Sequence, residues 1–170
     1  VVVVHGSNVI GSLQPIREIG KISKEKGAIF MVDAAQTAGV IPIDVEKDNI
    51  DLLAFPGHKA LFGPPGTGGL YVGPRVDLEP WREGGSGVDS EAELQPKELP
   101  FKLEGGTINT VGIAGLGAGI TFIQKEGIEK IRQHEMELTK YLLERLSEIR
   151  KVKIYGPGNG EMRIGTVSFN

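Results

Sequence analysis

Short, unbroken hydrophobic runs predict a set of strands in the first part of the chain. Residues 1–4 are all valine, which predicts a strand buried on both faces of a parallel sheet. Residues 28–32, 51–55 and 69–72 predict three further strands. The last two runs lie too close together for a helical crossover, so we expect the fourth strand to pair antiparallel with its neighbour.

A helical stripe separates the first two predicted strands. Within residues 15–26 isoleucine recurs at helical spacing, and Gly27 follows as a helix stop. The face expected to be buried carries Ile16, Ile19 and Ile22. A helix between strands of a mostly parallel sheet predicts an α/β fold.

Helices dominate the second half of the chain. Residues 82–103 are rich in Gly, Glu and Pro without a period, which indicates a long functional loop. A Gly/Ala-rich helix is predicted over residues 110–124, and a long amphipathic helix over residues 127–149. The long helix is expected to bury Ile128, Ile131, Leu138, Leu142, Leu146 and Ile149. Residues 151–155 and 164–169 then predict two more strands.

These elements divide the chain into three predicted parts. Residues 1–124 are part of a large α/β domain, residues 125–150 a connecting helix, and residues 151–170 the beginning of a small C-terminal α+β domain. The chain starts inside a predicted strand and stops before the second unit closes. We therefore expect it to be cut from a longer protein at both ends.

Composition excludes several classes of function. Of 170 residues, 39% are hydrophobic and 24% charged, and the formal net charge of −3 gives no indication of a nucleic-acid groove. No run approaches the about 18 apolar residues of a membrane span, and no signal peptide is evident, so we expect a cytoplasmic protein without membrane partners. The absence of cysteine excludes disulfides and a cysteine nucleophile within these residues, and we expect no metal.

A glycine-rich segment at residues 63–69 (GPPGTGG) is similar to the start of a phosphate-binding P-loop. That motif requires Lys and then Ser or Thr after its glycines, whereas Gly69 and Leu70 stand here. The segment also leads into a predicted strand instead of opening a helix. We interpret it as a glycine-rich turn.

An acid and a lysine follow two of the predicted strands. Asp33 comes directly after the second strand, at the sheet edge where α/β proteins bind ligands, although an Asp there can equally cap a following helix. Lys59 follows the third strand among apolar neighbours that would desolvate its amine. The pair suits pyridoxal phosphate, because the amine holds the aldehyde as a Schiff base and the acid keeps the ring nitrogen protonated.

Four segments together resemble the class V aminotransferase family of fold-type-I pyridoxal-phosphate enzymes, in particular its cysteine desulfurase and selenocysteine lyase branch. They are residues 5–11 (HGSNVIG), 32–36 (VDAAQ), 57–59 (GHK) and 104–109 (EGGTIN). Their order and spacing are those of the family, and the likeness runs over the whole chain. The resemblance implies the mostly parallel sheet of the fold-type-I large domain, of which residues 1–124 are the cofactor-binding part.

The resemblance also implies roles for individual residues. Lys59 would be the catalytic residue that carries pyridoxal phosphate, and Asp33 would pair with the pyridine nitrogen. Asn8 and Gln36 would lie near the ring hydroxyl. The residues at the phosphate would be His58 and Thr107. The last of these would reach the phosphate of the partner subunit in a homodimer.

The chain departs from the family pattern at Pro56, where a phosphate-binding hydroxyl is common. A backbone amide or another hydroxyl would have to supply that contact. The family's ring-stacking histidine and phosphate loop lie upstream of this chain, and its substrate-binding arginine and sulfur-accepting cysteine lie beyond Asn170. We expect His5 to be structural and His134 to be a solvated helical residue.

The activity implied by the resemblance is removal of sulfur from L-cysteine to give alanine, with Lys59 acting as base and acid once substrate frees it. A sulfur-acceptor protein is a further implied partner. A class V transaminase or a β-lyase on a small amino acid would use the same residues. A non-catalytic scaffold is the remaining alternative, and the pairing of Lys59 with Asp33 argues against it for the longer protein.

Overall fold

A four-stranded sheet forms the centre of the computed structural model, which describes residues 1–85, 87, 94–158 and 160–170. The strand order is β1 (Val2–Val4), β2 (Met31–Asp33), β3 (Leu52–Pro56) and β4 (Gly68–Val72). The first three strands are parallel, and β4 runs antiparallel to β3, as predicted. The register places Val4, Asp33 and Ala54 side by side at the carboxyl edge of the parallel strands.

Helix α1 (Ile16–Glu25) lies between β1 and β2 in the chain, and Gly27 follows it with a positive φ of 68°. Its buried residues are Ile16, Gly20 and Ser23. The prediction that Ile22 is buried is wrong, since this side chain is 58% exposed. At 3.6 residues per turn, Ile22 points about 120° away from Ile16, which lies on the buried face.

The main core lies between α1 and the sheet. Its buried members are Ile16, Phe30, Val32, Ala34 and Ile50. The prediction that residues 1–4 are buried on both faces is wrong, because Val2 is 71% and Val4 50% exposed. β1 is an edge strand of this sheet, so it has a neighbouring strand on one side only among the described residues.

Two consecutive helices, α2 (Thr110–Glu126) and α3 (Ile128–Ser147), meet at Gly127, whose φ of 86° breaks the helical path. Asn109 caps α2, and its side chain accepts a hydrogen bond from the Gly112 amide at 3.0 Å. A second core joins α2 to the turn after β3, through Leu61, Leu116 and Ile123.

Helix α3 buries only part of its predicted apolar face. Leu146 is 7% exposed, whereas Leu138, Leu142 and Ile149 are 57%, 41% and 54% exposed, so the prediction is wrong for these three residues. Leu138 and Leu142 line an open cleft instead, and Ile149 lies beyond the end of the helix.

A separate two-stranded sheet pairs β5 (Ile154–Tyr155) antiparallel with β6 (Ser168–Phe169). Both strands are shorter than predicted. Lys151 has a φ of 84°, outside the strand region, and the Ile164 amide donates to Gly11 O at 2.8 Å instead of joining a strand ladder. The division of the chain into three parts stays a prediction.

The predicted loop at residues 82–103 contains one short 3-10 helix, Phe101–Leu103. Residues 86 and 88–93 of this loop lie outside the described part of the chain. Among the helices that the structure describes, none is both long enough and apolar enough to cross a membrane.

Candidate active site

Asp33 is the last residue of β2, between the ends of the two neighbouring parallel strands. Its Oδ1 accepts a hydrogen bond from the Ala35 amide at 2.8 Å, which closes a turn over the next two residues. No regular helix follows, so Asp33 caps a turn and not a helix. Among the described residues its Oδ2 has no hydrogen-bond partner, and this oxygen can accept from a ligand.

Lys59 lies in the turn that follows β3, and together with Gln36 it lines an open cleft of about 460 Å³. The structure thus brings together two of the residues predicted for the site. The Lys59 side chain is exposed, and within the described part of the chain its amine has no hydrogen bond or ion pair. The expectation that apolar neighbours desolvate this amine is therefore wrong.

The other predicted site residues, Asp33 among them, lie outside the lining of this cleft. Asp33 is half-buried, and Asn8, His58 and Thr107 are exposed. Asn8 belongs to a turn that Ser7 stabilises, since the Ser7 Oγ accepts from the amides of residues 9 and 10. The roles of Asn8, His58 and Thr107 at a cofactor stay predictions.

The turn after Pro56 contains groups that could replace the usual phosphate-binding hydroxyl. Thr67 lies beside this turn, but its Oγ1 donates to Pro64 O at 2.6 Å. The Gly57 amide donates to Thr67 O at 2.8 Å. Among the described residues, the amides of His58 and Lys59 donate to no acceptor. They are the donors that this turn can offer to an anion.

His5 contacts the end of β2 and the turn that follows it. The residue is 6% exposed, and its Nδ1 lies 2.9 Å from Thr37 Oγ1. Its backbone amide donates to Asp33 O at 2.9 Å. Burial lowers the pKa of His5 to about 4, although the charge of Asp48 opposes that shift. The ring is neutral at pH 7, as suits the expected structural role. His134, by contrast, is exposed on α3, as expected.

The opposite wall of the cleft is not predicted from the sequence. That wall is formed by α3 and by the segment before β6, and its residues are Glu135, Leu138, Thr139, Leu142, Ile164, Gly165 and Thr166. These residues lie far from Lys59 in the chain. The apolar spacing of Leu138 and Leu142 is a signal for this wall, but it equally predicts a buried helix face.

The described part of the chain holds no group of three or more His, Cys, Asp or Glu residues arranged to bind a metal ion. The groups that the site offers are the Lys59 amine, an Asp33 carboxylate oxygen and backbone amides. These groups lie at or near one edge of the sheet, where α/β proteins bind ligands.

The chain is similar to known proteins over its whole length. The family model for aminotransferase class V matches residues 1–170. Probable cysteine desulfurases of Halalkalibacterium halodurans and Pyrococcus abyssi are each 43% identical over 175 residues, which cover 100% of this chain and 42% and 43% of the relatives. The chain thus spans less than half the length of these curated relatives.

A solved structure extends the likeness to the fold. The apo structure of cysteine desulfurase from Thermococcus onnurineus NA1 matches with a TM-score of 0.93 and 41% identity, over 99% of this chain and 43% of that one. The prediction of an α/β fold with the mostly parallel sheet of fold-type-I enzymes is confirmed. The chain belongs to the class V aminotransferase family.

Proposed function

We propose that these residues form the cofactor-binding part of a longer, pyridoxal-phosphate-dependent cysteine desulfurase, which removes sulfur from L-cysteine and leaves alanine. The observation that carries the proposal is the placement of Asp33 and Lys59 after neighbouring parallel strands, with Lys59 free in an open cleft. The relatives named as desulfurases support the reaction.

The residues present fit pyridoxal phosphate. Asp33 Oδ2 is an acceptor for a ring N–H, and the Lys59 amine is exposed and unpaired within the described residues. The backbone amides of His58 and Lys59 offer donors to a phosphate. When bound, the cofactor supplies an aldehyde to the amine and a ring that withdraws electrons from the substrate.

Each residue of the site has a task in this proposal. Lys59 holds the cofactor and, once substrate has displaced it, carries protons to and from the substrate carbons. Asp33 holds a proton at the ring nitrogen, because a carboxylate beside a cation favours the protonated form of that cation. Asn8 and Gln36 orient the ring hydroxyl. His58 and Thr107 bind phosphate.

The proposal includes the assembly and location of the longer protein. It is a cytoplasmic homodimer in which Thr107 contacts the phosphate held by the partner subunit, and it passes sulfur to an acceptor protein. Residues 1–124 belong to its large domain, residues 125–150 connect the two domains, and residues 151–170 begin the small domain. The exposure of Thr107 outside the cleft supports a contact across subunits.

The test compares Lys59→Ala with Lys21→Ala in the full-length protein. Lys21 is an exposed lysine on α1, and so controls for loss of a surface charge. After borohydride reduction, mass spectrometry should find pyridoxal phosphate on Lys59 in the wild type and in Lys21→Ala, and none in Lys59→Ala. Release of alanine and sulfur from L-cysteine should be lost only in Lys59→Ala. A trapped cofactor in Lys59→Ala would refute the assignment.

A class V transaminase is the second candidate, because the matching family model carries that description. The same assay separates the two reactions by their products. Transamination of L-cysteine would yield a keto acid that retains its sulfur, whereas desulfuration yields alanine. A keto acid as the main product would favour the transaminase.

A further inference from the structure

Arg163 is completely buried, yet among the described residues no carboxylate pairs with its guanidinium. Its Nη1 donates to Pro157 O at 2.6 Å and its Nη2 to Thr166 O at 2.7 Å, while its Nε has no hydrogen-bond partner within the described part of the chain. Burial also lowers the pKa of this group. Removing a charge from water is costly, so the hydrogen bonds to the two carbonyls must offset part of that cost.

The two acceptors lie on either side of Arg163 in the chain. Pro157 precedes it by six residues and Thr166 follows it by three. A guanidinium group presents its donors in a rigid plane, so one side chain fixes both carbonyls relative to each other. The Arg163 side chain thereby connects Pro157 to Thr166.

Helix α3 contacts residues 163–165 on one side. Arg132 donates through Nη2 to Arg163 O, and through Nη1 to Glu135 Oε2 at 2.7 Å. A Cβ placed on Gly165 would lie 2.9 Å from Glu135 Oε1, so the backbone of the segment packs directly against this carboxylate.

The loop that carries Asn8 holds the segment from the other side. The Ile164 amide donates to Gly11 O at 2.8 Å, and the Leu13 amide donates to Met162 O at 2.9 Å. Gly11 has a φ of 73°, and a Cβ there would lie 2.3 Å from Thr166 O. The Thr166 carbonyl, which Arg163 also binds, is therefore in close contact with this loop.

Residues 164–166, which are contacted by both α3 and the Asn8 loop, face the cleft. Ile164, Gly165 and Thr166 line it together with Gln36 and Lys59. A shift of the segment would alter the shape of the cleft beside the reactive amine, and would move the loop bonded to it at Gly11.

We propose that Arg163 is a positioning residue, which fixes residues 164–166 and the Asn8 loop around the Lys59 cleft and so sets the fit of the amino-acid substrate. The part that concerns substrate rests on the proposed function. The part that concerns the cleft wall rests on contacts within the described residues alone.

The first arm of the test measures hydrogen exchange in Arg163→Met, with Arg145→Met as the control. Arg145 lies on α3 and pairs with Glu148 at the surface. In Arg163→Met, we expect the amides of Ile164 and Leu13 to exchange at least about 10-fold faster than in wild type, while the β2 amides keep their protection. Arg145→Met should match wild type. Unchanged exchange at both amides in Arg163→Met would overturn the proposal.

The second arm measures kinetics in the full-length enzyme. Arg163→Met should raise KM for L-cysteine about 10-fold with a smaller change in kcat, because the lysine and the acid are untouched. Arg163→Lys keeps the charge but contacts one carbonyl at a time, so we expect intermediate exchange and an intermediate KM. If Arg163→Met does not fold, Arg163→Lys decides, and wild-type exchange or KM in that variant would overturn the proposal. A wild type that releases no alanine would refute the proposed function, while the exchange arm would still test the cleft wall.

Discussion

Asp33 uses its two carboxylate oxygens differently, and this division makes its charge testable apart from its geometry. Oδ1 accepts from the Ala35 amide, while Oδ2 has no partner among the described residues. An asparagine can keep the first contact, because its amide oxygen is also an acceptor. It cannot stabilise a protonated ring nitrogen by charge.

We expect Asp33→Asn to retain pyridoxal phosphate on Lys59 and to lose turnover by about 10² to 10³-fold, the usual effect of removing one preorganised electrostatic group. The matched control is Asp44→Asn. Asp44 also accepts from backbone amides of its own turn, and it is not among the residues predicted for the site. Alanine release by both variants is the measurement, and near-wild-type turnover in Asp33→Asn would contradict the assigned role.

His5 gives the protein a pH-dependent stability. Its folded-state pKa is about 4, against 6.5 for an unperturbed histidine. The unfolded chain therefore binds the extra proton first, and stability falls as the pH drops from about 6.5 to about 4, by up to about 3 kcal/mol. Above pH 7 both states are neutral at this ring, and the effect vanishes.

We expect His5→Gln to lose less unfolding free energy than wild type between pH 7.5 and pH 4.5, because glutamine does not titrate. His134→Gln, which removes an exposed histidine, should keep the wild-type dependence. Urea unfolding at several pH values measures both. Parallel pH profiles for His5→Gln and wild type would show that His5 does not cause the loss.

The site residues that directly follow strands could be predicted from sequence. The residues on the opposite wall of the cleft could not. Asp33 and Lys59 were identified because strand ends and local motifs lie within a few residues of each other. Thr166 and Glu135 reach the cleft only through tertiary packing of α3 and the segment before β6, over more than 70 residues from Lys59. No local sequence pattern predicts a contact between residues so far apart in the chain.

At the scale of elements, apolar spacing located the helices better than it located their buried faces. α1 and α2 end within two residues of the predicted positions. The buried face of α1 instead follows Gly20 and Ser23, small residues that permit close packing. A Cβ on Gly20 would lie 2.0 Å from Asp48 O, so close backbone approach helps to set that face together with Ile16.

Helix α2 offers a direct test of this point, since it contains glycines in two environments. A Cβ on Gly119 would lie 2.2 Å from Leu61 O, whereas a Cβ on Gly117 meets nothing within 4 Å. We expect Gly119→Ala to destabilise the fold by about 1 to 3 kcal/mol through overpacking. Gly117→Ala should stabilise it by about 0.5 to 1 kcal/mol through helix propensity. Urea unfolding measures both, and stabilisation by both substitutions would contradict the packing seen at Gly119.

At the scale of the whole molecule, the Lys59 cleft is assembled from both halves of the chain. Gln36 and Lys59 come from the turns that follow β2 and β3, and Thr166 comes from the segment next to β6. Thr107 is exposed and does not line the cleft, and its contact with a phosphate stays a prediction. In the proposed homodimer, two-fold symmetry means that a contact of Thr107 with the site of the partner subunit would occur twice.

Complementation tests this arrangement in the full-length protein. Thr107→Ala and Lys59→Ala subunits with different tags are co-expressed, and the heterodimers are purified through both tags. If Thr107 acts across the interface, each heterodimer holds one site with both native residues and one with neither. It should therefore show about half of the wild-type activity, although each homodimer is impaired. If Thr107 acts within its own subunit, every site carries one lesion, and heterodimers no more active than the homodimers would refute the contact across subunits.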